Sequence, residues 1–218
     1  MAAGPRRATG ALVIAAAALA PMVARPAGPS WAADPARSRI AVHVLKKGLL
    51  SGMAHDHHFE ATAFRATAVA DEPGGRLVSL EVVVRAASLR DRQPDLSPED
   101  RAKVDAQAAG EDVLDAGRFP ELRFVAGAPG TGGLALPAAG EAEGTLPGSL
   151  TLRGQERSLA VPVRATREGG AWRAKGSVRF KQSDFGIEPY SGFLGTIAVH
   201  DEVEVEWDLL LVERQPGG

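Results

Sequence analysis

The chain of 218 residues carries 25 Lys plus Arg against 27 Asp plus Glu, and no cysteine. A formal charge of −2 offers no basic face for nucleic acid, and the missing thiols exclude a disulfide framework, thiolate metal sites, a cysteine nucleophile and a lipidated cysteine. With 44% hydrophobic and 24% charged residues, the composition is that of one globular domain rather than a disordered chain.

The N-terminus reads as a targeting segment. Arg6 and Arg7 precede an unbroken apolar run, Ala11 to Ala20, which is about half the length a bilayer span needs. A basic start before a short apolar run is the pattern of a secretory signal. Ser30 and Ala32 supply the small residues that cleavage requires, which places the signal peptide at residues 1–32 and the mature domain at 33–218. A retained anchor is the alternative, because Pro21, Met22 and Val23 prolong the apolar stretch. The Arg6-Arg7 pair permits a twin-arginine reading, but weakly apolar residues follow it, which favours the general export route. The leader holds three arginines and no acid, so the remainder carries a formal charge of −5. No later segment is apolar enough to span a membrane.

From there the chain alternates with period two, the mark of strands with one buried face. Ile40, Val42 and Val44 begin the series. The stretch from His58 to Ala70 is weaker, with Ala61 and Ala63 assigned inward. Leu80, Val82, Val84 and Ala86 follow, then Leu122, Phe124 and Ala126, then Leu146, Gly148, Leu150 and Leu152. Leu159, Val161, Val163 and Ala165 make the next inner face, and Trp172, Ala174, Gly176, Val178 and Phe180 the one after. The last is the clearest: Val203, Val205, Trp207, Leu209 and Leu211 opposite Glu202, Glu204, Glu206 and Asp208. One apolar and one polar face per strand implies an antiparallel sheet that is wet on one side.

Between the third and fourth strands, Ser97-Pro98-Glu99-Asp100 is a helix start, with Ser as N-cap, Pro at N1 and acids in the first turn; Gly110 ends the helix near Ala109. Residues 128–144, rich in Gly, Pro and Ala, read as a loose and mobile connection. Eight strands with one helical insertion predict a closed all-β barrel, since closure removes the sheet's edges.

Four segments in order resemble the YceI-like family: residues 86–89 (AASL), 112–124 (DVLDAGRFPELRF), 143–163 (beginning EGTLPGSLTLRG and ending SLAVPV) and 180–187 (FKQSDFGI). The resemblance covers about residues 36–213. It departs in a longer connection over 128–142 and in Leu146-Pro147-Gly148 at the start of one strand. It implies an eight-stranded antiparallel lipocalin-like barrel, periplasmic or secreted, that binds an isoprenoid or other long amphiphilic lipid inside. It brings no catalytic residues, and it implies no cofactor beyond the bound lipid.

The residues support an interior site independently. The expected inner face mixes small residues (Ala61, Ala63, Ala174, Gly148, Gly176) with few large ones (Phe124, Trp172, Phe180, Trp207). Such a face leaves a tunnel, or else it reflects an alanine-rich composition around a filled core. Phe124, Val161, Trp172, Ala174, Gly176, Phe180 and Trp207 are the candidate ligand-binding residues.

Residues 54–58 (AHDHH) set His55, His57 and His58 close together, with His43 one strand earlier. They suit a ligand head group or hydrogen bonding at the barrel mouth. A zinc or copper site from His55, His57 and His43 is the alternative, and simple exposure the third reading. The acids Asp91, Asp95, Glu99 and Asp100 lack calcium-loop spacing and fit a charged helix start. Lys46-Lys47 and Arg90-Asp91-Arg92 suit a solvated surface or a lipid head group. No motif for a nucleophilic hydrolase, zinc protease, nucleotide or dinucleotide site is present. Two functions stand: a non-catalytic carrier of an amphiphilic lipid, and an exported metal or redox accessory protein using His55 to His58. Homodimerisation is left open.

Overall fold

A computed structural model describes residues 28–47, 56–71, 75–127, 134–137, 139–192 and 197–214. The expected leader up to residue 27, together with His55, lies outside the described residues. Twelve strands, among the described residues, form one sheet: β1 (Ser30–Ala33), β2 (Arg39–Lys47), β3 (His57–Ala61), β4 (Phe64–Ala70), β5 (Leu77–Arg85), β6 (Leu89–Asp91), β7 (Glu121–Ala126), β8 (Glu141–Leu152), β9 (Gln155–Glu168), β10 (Ala171–Lys181), β11 (Ser191–Gly192) and β12 (Ile197–Glu213). One helix, α1 (Pro98–Ala109), interrupts them.

The pairing order β1-β4-β5-β7-β8-β9-β10-β12 returns to β1 and closes an eight-stranded antiparallel ring. The first three long strands are each broken in two. β1 continues as β2 after a turn at Pro35–Arg37 capped by the Asp34 carboxylate. β3 continues as β4 after a bend at residues 62–63, and β5 as β6 after a turn at Ala86–Ser88. The second and third breaks are tied together: Thr62 donates from its amide and its hydroxyl to the Ser88 carbonyl, and the Ser88 hydroxyl donates to the Ala63 carbonyl. Hydroxyls thus satisfy backbone groups where the ladder lapses. The bend corrects one expectation: Ala63 sits in it exposed, and the inner face of β4 is Ala66, Ala68 and Ala70.

The alternation otherwise holds. Val203, Leu209 and Leu211 are buried, while the outward Glu204 and Asp208 pair across the strands with Arg179 (3.0 Å) and Arg173 (2.6 Å). Pairs with this much access to solvent add little stability singly, but opposite charges in register discourage slippage. The Ser97 hydroxyl accepts from the Asp100 amide (3.1 Å) and Gly110 follows the last helical residue, as the sequence predicts.

Two further differences concern boundaries. The connection expected to be loose contributes ordered structure: Leu136 is buried, Arg76 bridges Ala135, and residues 141–144 already belong to β8. The barrel also begins upstream of the expected cleavage point. Trp31 is 4% exposed in the core, with its indole donating to the Gly170 carbonyl. β1 itself pairs with β4 on one side and β12 on the other. A cut after Ala32 removes that seam.

A chain starting at Ala33 should therefore be less stable than one starting at Gly28 by several kcal/mol, since losing a buried Trp side chain alone costs about 3–5 kcal/mol. Urea unfolding of the two forms measures this, and equal midpoints would mean that β1 is dispensable.

Candidate functional site

Inside the ring is a cavity of about 190 Å³ whose lining is aliphatic or aromatic apart from Arg123. Phe124, Val161, Trp172, Ala174, Phe180 and Trp207 all line it, as their inward positions predict. Alternating side chains from all eight long strands converge there because closure points one face of each inward. The cavity extends from Trp31, Leu77 and Trp172 at one end to Leu89, Leu152 and Phe180 at the other. Eight steps separate Trp172 from Phe180, about 26 Å along the strand.

Gly176 departs from its expected role. A Cβ there would lie 2.4 Å from Cζ2 of Trp207 and 2.5 Å from the Pro162 carbonyl oxygen. The glycine seats the indole of its cross-strand neighbour and leaves no void. Gly148 does the same for Phe124, whose ring atoms would be 2.6 Å from a Cβ. Open space comes instead beside alanines such as Ala68, Ala165 and Ala174.

The end beyond Phe180 is stoppered. Phe180 and Phe185 meet edge to face at 5.3 Å, and Phe185 and Ile187 are buried. Gly186 between them takes φ +70°, the left-handed conformation glycine allows most readily. Arg153 Nη1 donates to the carbonyls of Asp112 (3.3 Å) and Gly186 (3.2 Å), and Gly154 receives the Phe119 ring.

The histidines separate. β2 and β3 pair with His43 opposite His58, on the outer face. Their Nδ1 atoms are 3.1 Å apart, and His43 Nε2 lies 3.4 Å from Glu206. His57 faces the other way, its Nδ1 2.5 Å from Oδ2 of Asp91. The site weighed from His55, His57 and His43 is thus not assembled at its described members, because register sets His43 and His57 on opposite faces. Among the described residues no three His, Asp or Glu side chains gather as a metal site. Neither His57 nor His58 lines the cavity.

Asp91, which the sequence assigns to a charged helix start and to a solvated or head-group-facing Arg90-Asp91-Arg92, is wholly buried. Its Oδ1 accepts from the Gln93 amide (2.6 Å), and Arg101 of α1 donates to its carbonyl (2.7 Å). Its alternation with buried Leu89 was the available signal. Leu134 also lines the cavity from the Gly-rich connection, as does Leu136, and the alternating Leu134-Ala135-Leu136 was the clue there.

A family model described as YceI-like domain matches residues 31–211. Among solved structures, BcnA of Burkholderia cenocepacia superposes with a TM-score of 0.60 at 22% identity, covering 82% of this chain and 98% of that one. A polyisoprenoid-binding domain from Saccharophagus degradans, implicated in plant cell wall breakdown, gives 0.60 at 10% identity, covering 84% and 98%. No curated protein matches. At these identities the structures establish the shared fold.

Gly176→Ala should destabilise the barrel by about 1–3 kcal/mol through overpacking against Trp207, whereas Ala174→Val, beside open space, should not. Thermal unfolding separates them; equal melting temperatures would contradict the seating of the indole. The histidine pair predicts a pH effect. Burial lowers the His58 pKa below its ordinary 6.5, and His43 and Arg39 lower it further against Glu60 and Glu206. The unfolded chain then takes the proton first, so this contribution is whole above pH 6.5 and is lost as pH falls through the depressed value. Urea midpoints should drop on acidification from about pH 7.5 to 5, less steeply in His58→Gln; parallel slopes would assign the effect to other groups.

Proposed function

This chain belongs to the YceI-like family, and we propose that its barrel binds a slender isoprenoid-type lipid in the interior cavity and carries it without catalysing a reaction. The observation that carries this reading is the apolar cavity running between aromatic ends. Burial in such a space stabilises a chain by about 0.8 kcal/mol per CH₂, so a prenyl tail of several units binds without a polar contact along its length. The polyisoprenoid-binding domain of the same fold supports this choice of ligand.

The same reading places the protein outside the cytoplasm. The basic and apolar leader supports export, and among the described residues no helix is long and apolar enough to cross a membrane. Processing falls before Gly28, which leaves Trp31 and β1 intact.

Mass spectrometry of organic extracts from protein purified out of its native host tests the proposal. One long-chain isoprenoid should copurify, and its content should fall severalfold in Ala174→Trp, where the added ring fills the cavity. Unchanged lipid in that folded variant would place the ligand elsewhere. Bound metal with no lipid would move the accessory reading to first place.

A further inference from the structure

Two of the side chains that line the cavity are not carried by the wall. Among the described residues every other lining residue lies on a strand, whereas Leu134 and Leu136 come from the connection between β7 and β8. β7 ends at Ala126, opposite Leu80 of β5 and Gly148 of β8, and both neighbours run on past it, as far as Leu77 and Glu141. Residues 134–136 lie between these two extensions. The Leu77 amide donates to the Leu134 carbonyl and the Leu136 amide to the Gly75 carbonyl, each at 2.8 Å, with Ala135 opposite Arg76. Ala135 is exposed, so the parity of an extended segment turns Leu134 and Leu136 inward. Leu134 reaches across to β8, where a Cβ on Gly144 would lie 2.9 Å from its Cδ1.

We infer that Leu134 and Leu136 set the length of chain that the cavity accepts. This rests on the interior-carriage reading and deepens it by naming the residues that select the ligand. The opposite end has no room to lengthen, because Phe180 and Phe185 close it and Arg153 ties its turns together. At the Leu77 end the space between β5 and β8 is filled by two isobutyl groups on a segment that belongs to neither strand. That segment is bonded to β5 alone; its contact with β8 is Leu134 over Gly144, with no backbone hydrogen bond to β8 among the described residues. Shortening the two side chains therefore removes hydrocarbon from the cavity and leaves the closed ladder untouched. The connection over 128–142 is also where the sequence departs from the family resemblance, so a limit set there belongs to this chain rather than to the fold.

The test uses delipidated exported protein and a series of linear prenyl alcohols that differ by single isoprene units. Trp31, Trp172 and Trp207 line the cavity, so their fluorescence reports occupancy. Affinity should rise with each added unit, since each buries more hydrocarbon, and level off at one length. In Leu134→Ala/Leu136→Ala the limit should move one unit further, with the first probe beyond the wild-type limit gaining about tenfold and shorter probes changing little. In Leu134→Phe, which adds bulk at the same place, the limit should move one unit back; this variant decides alone if the double variant folds poorly. A packing defect weakens every length alike, so an unmoved limit in the folded variants would overturn the assignment and leave carriage intact. Wild-type protein that binds no member of the series would overturn both.

Discussion

Everything in this barrel depends on one strand having enough length to serve three neighbours and the short β11 as well. β12 pairs along one edge with β10 from Glu202 to Leu211. Its other edge is shared, first with β2 up to Asp208 and then with β1 from Leu211. That division lets the first strand break at Asp34 without opening the ring. Once the ring is closed, each side chain's face follows from its parity, and the circumference follows from strand number rather than from the volume of the residues inside. The cavity is a consequence of that geometry: the aromatic rings fold onto glycines in the wall, and the alanines do not fill what is left.

The segments that mark the family turn out to be architectural. Asp112, Arg153 and Gly186 come from three different stretches of the resemblance, yet one guanidinium joins them. Arg153 and Gly154 both take positive φ, which the tight hairpin between β8 and β9 requires. Phe119 lies over Gly154, from a fourth turn of the same end. These residues build and stopper one end of the barrel, so their presence identifies the fold without naming a ligand.

The alternation made most of the fold legible, because a half-buried strand must repeat every two residues. What the sequence concealed has specific causes. Small residues at Gly176 and Gly148 read equally as open space or as seats for rings, and only their cross-strand partners decide between the two. Trp31 was hidden inside a plausible cleavage pattern, since Ser30 and Ala32 suit a peptidase as well as they suit a strand. The link between His57 and Asp91 depends on pairing between β3 and β6, which local spacing does not encode.

The seam between β1 and β12, which runs from Ala33 and Leu211 to Ser30 and Arg214, joins the two ends of the described chain and is the most nonlocal strand pairing among the described residues. Pairings of such wide separation form late and slowly. Before it forms, β1 and β12 are free edges, and the apolar interior is a trough rather than a tube. A chain emerging N-terminus first thus acquires its container only when its final strand arrives, and until then the interior can be reached along the open side.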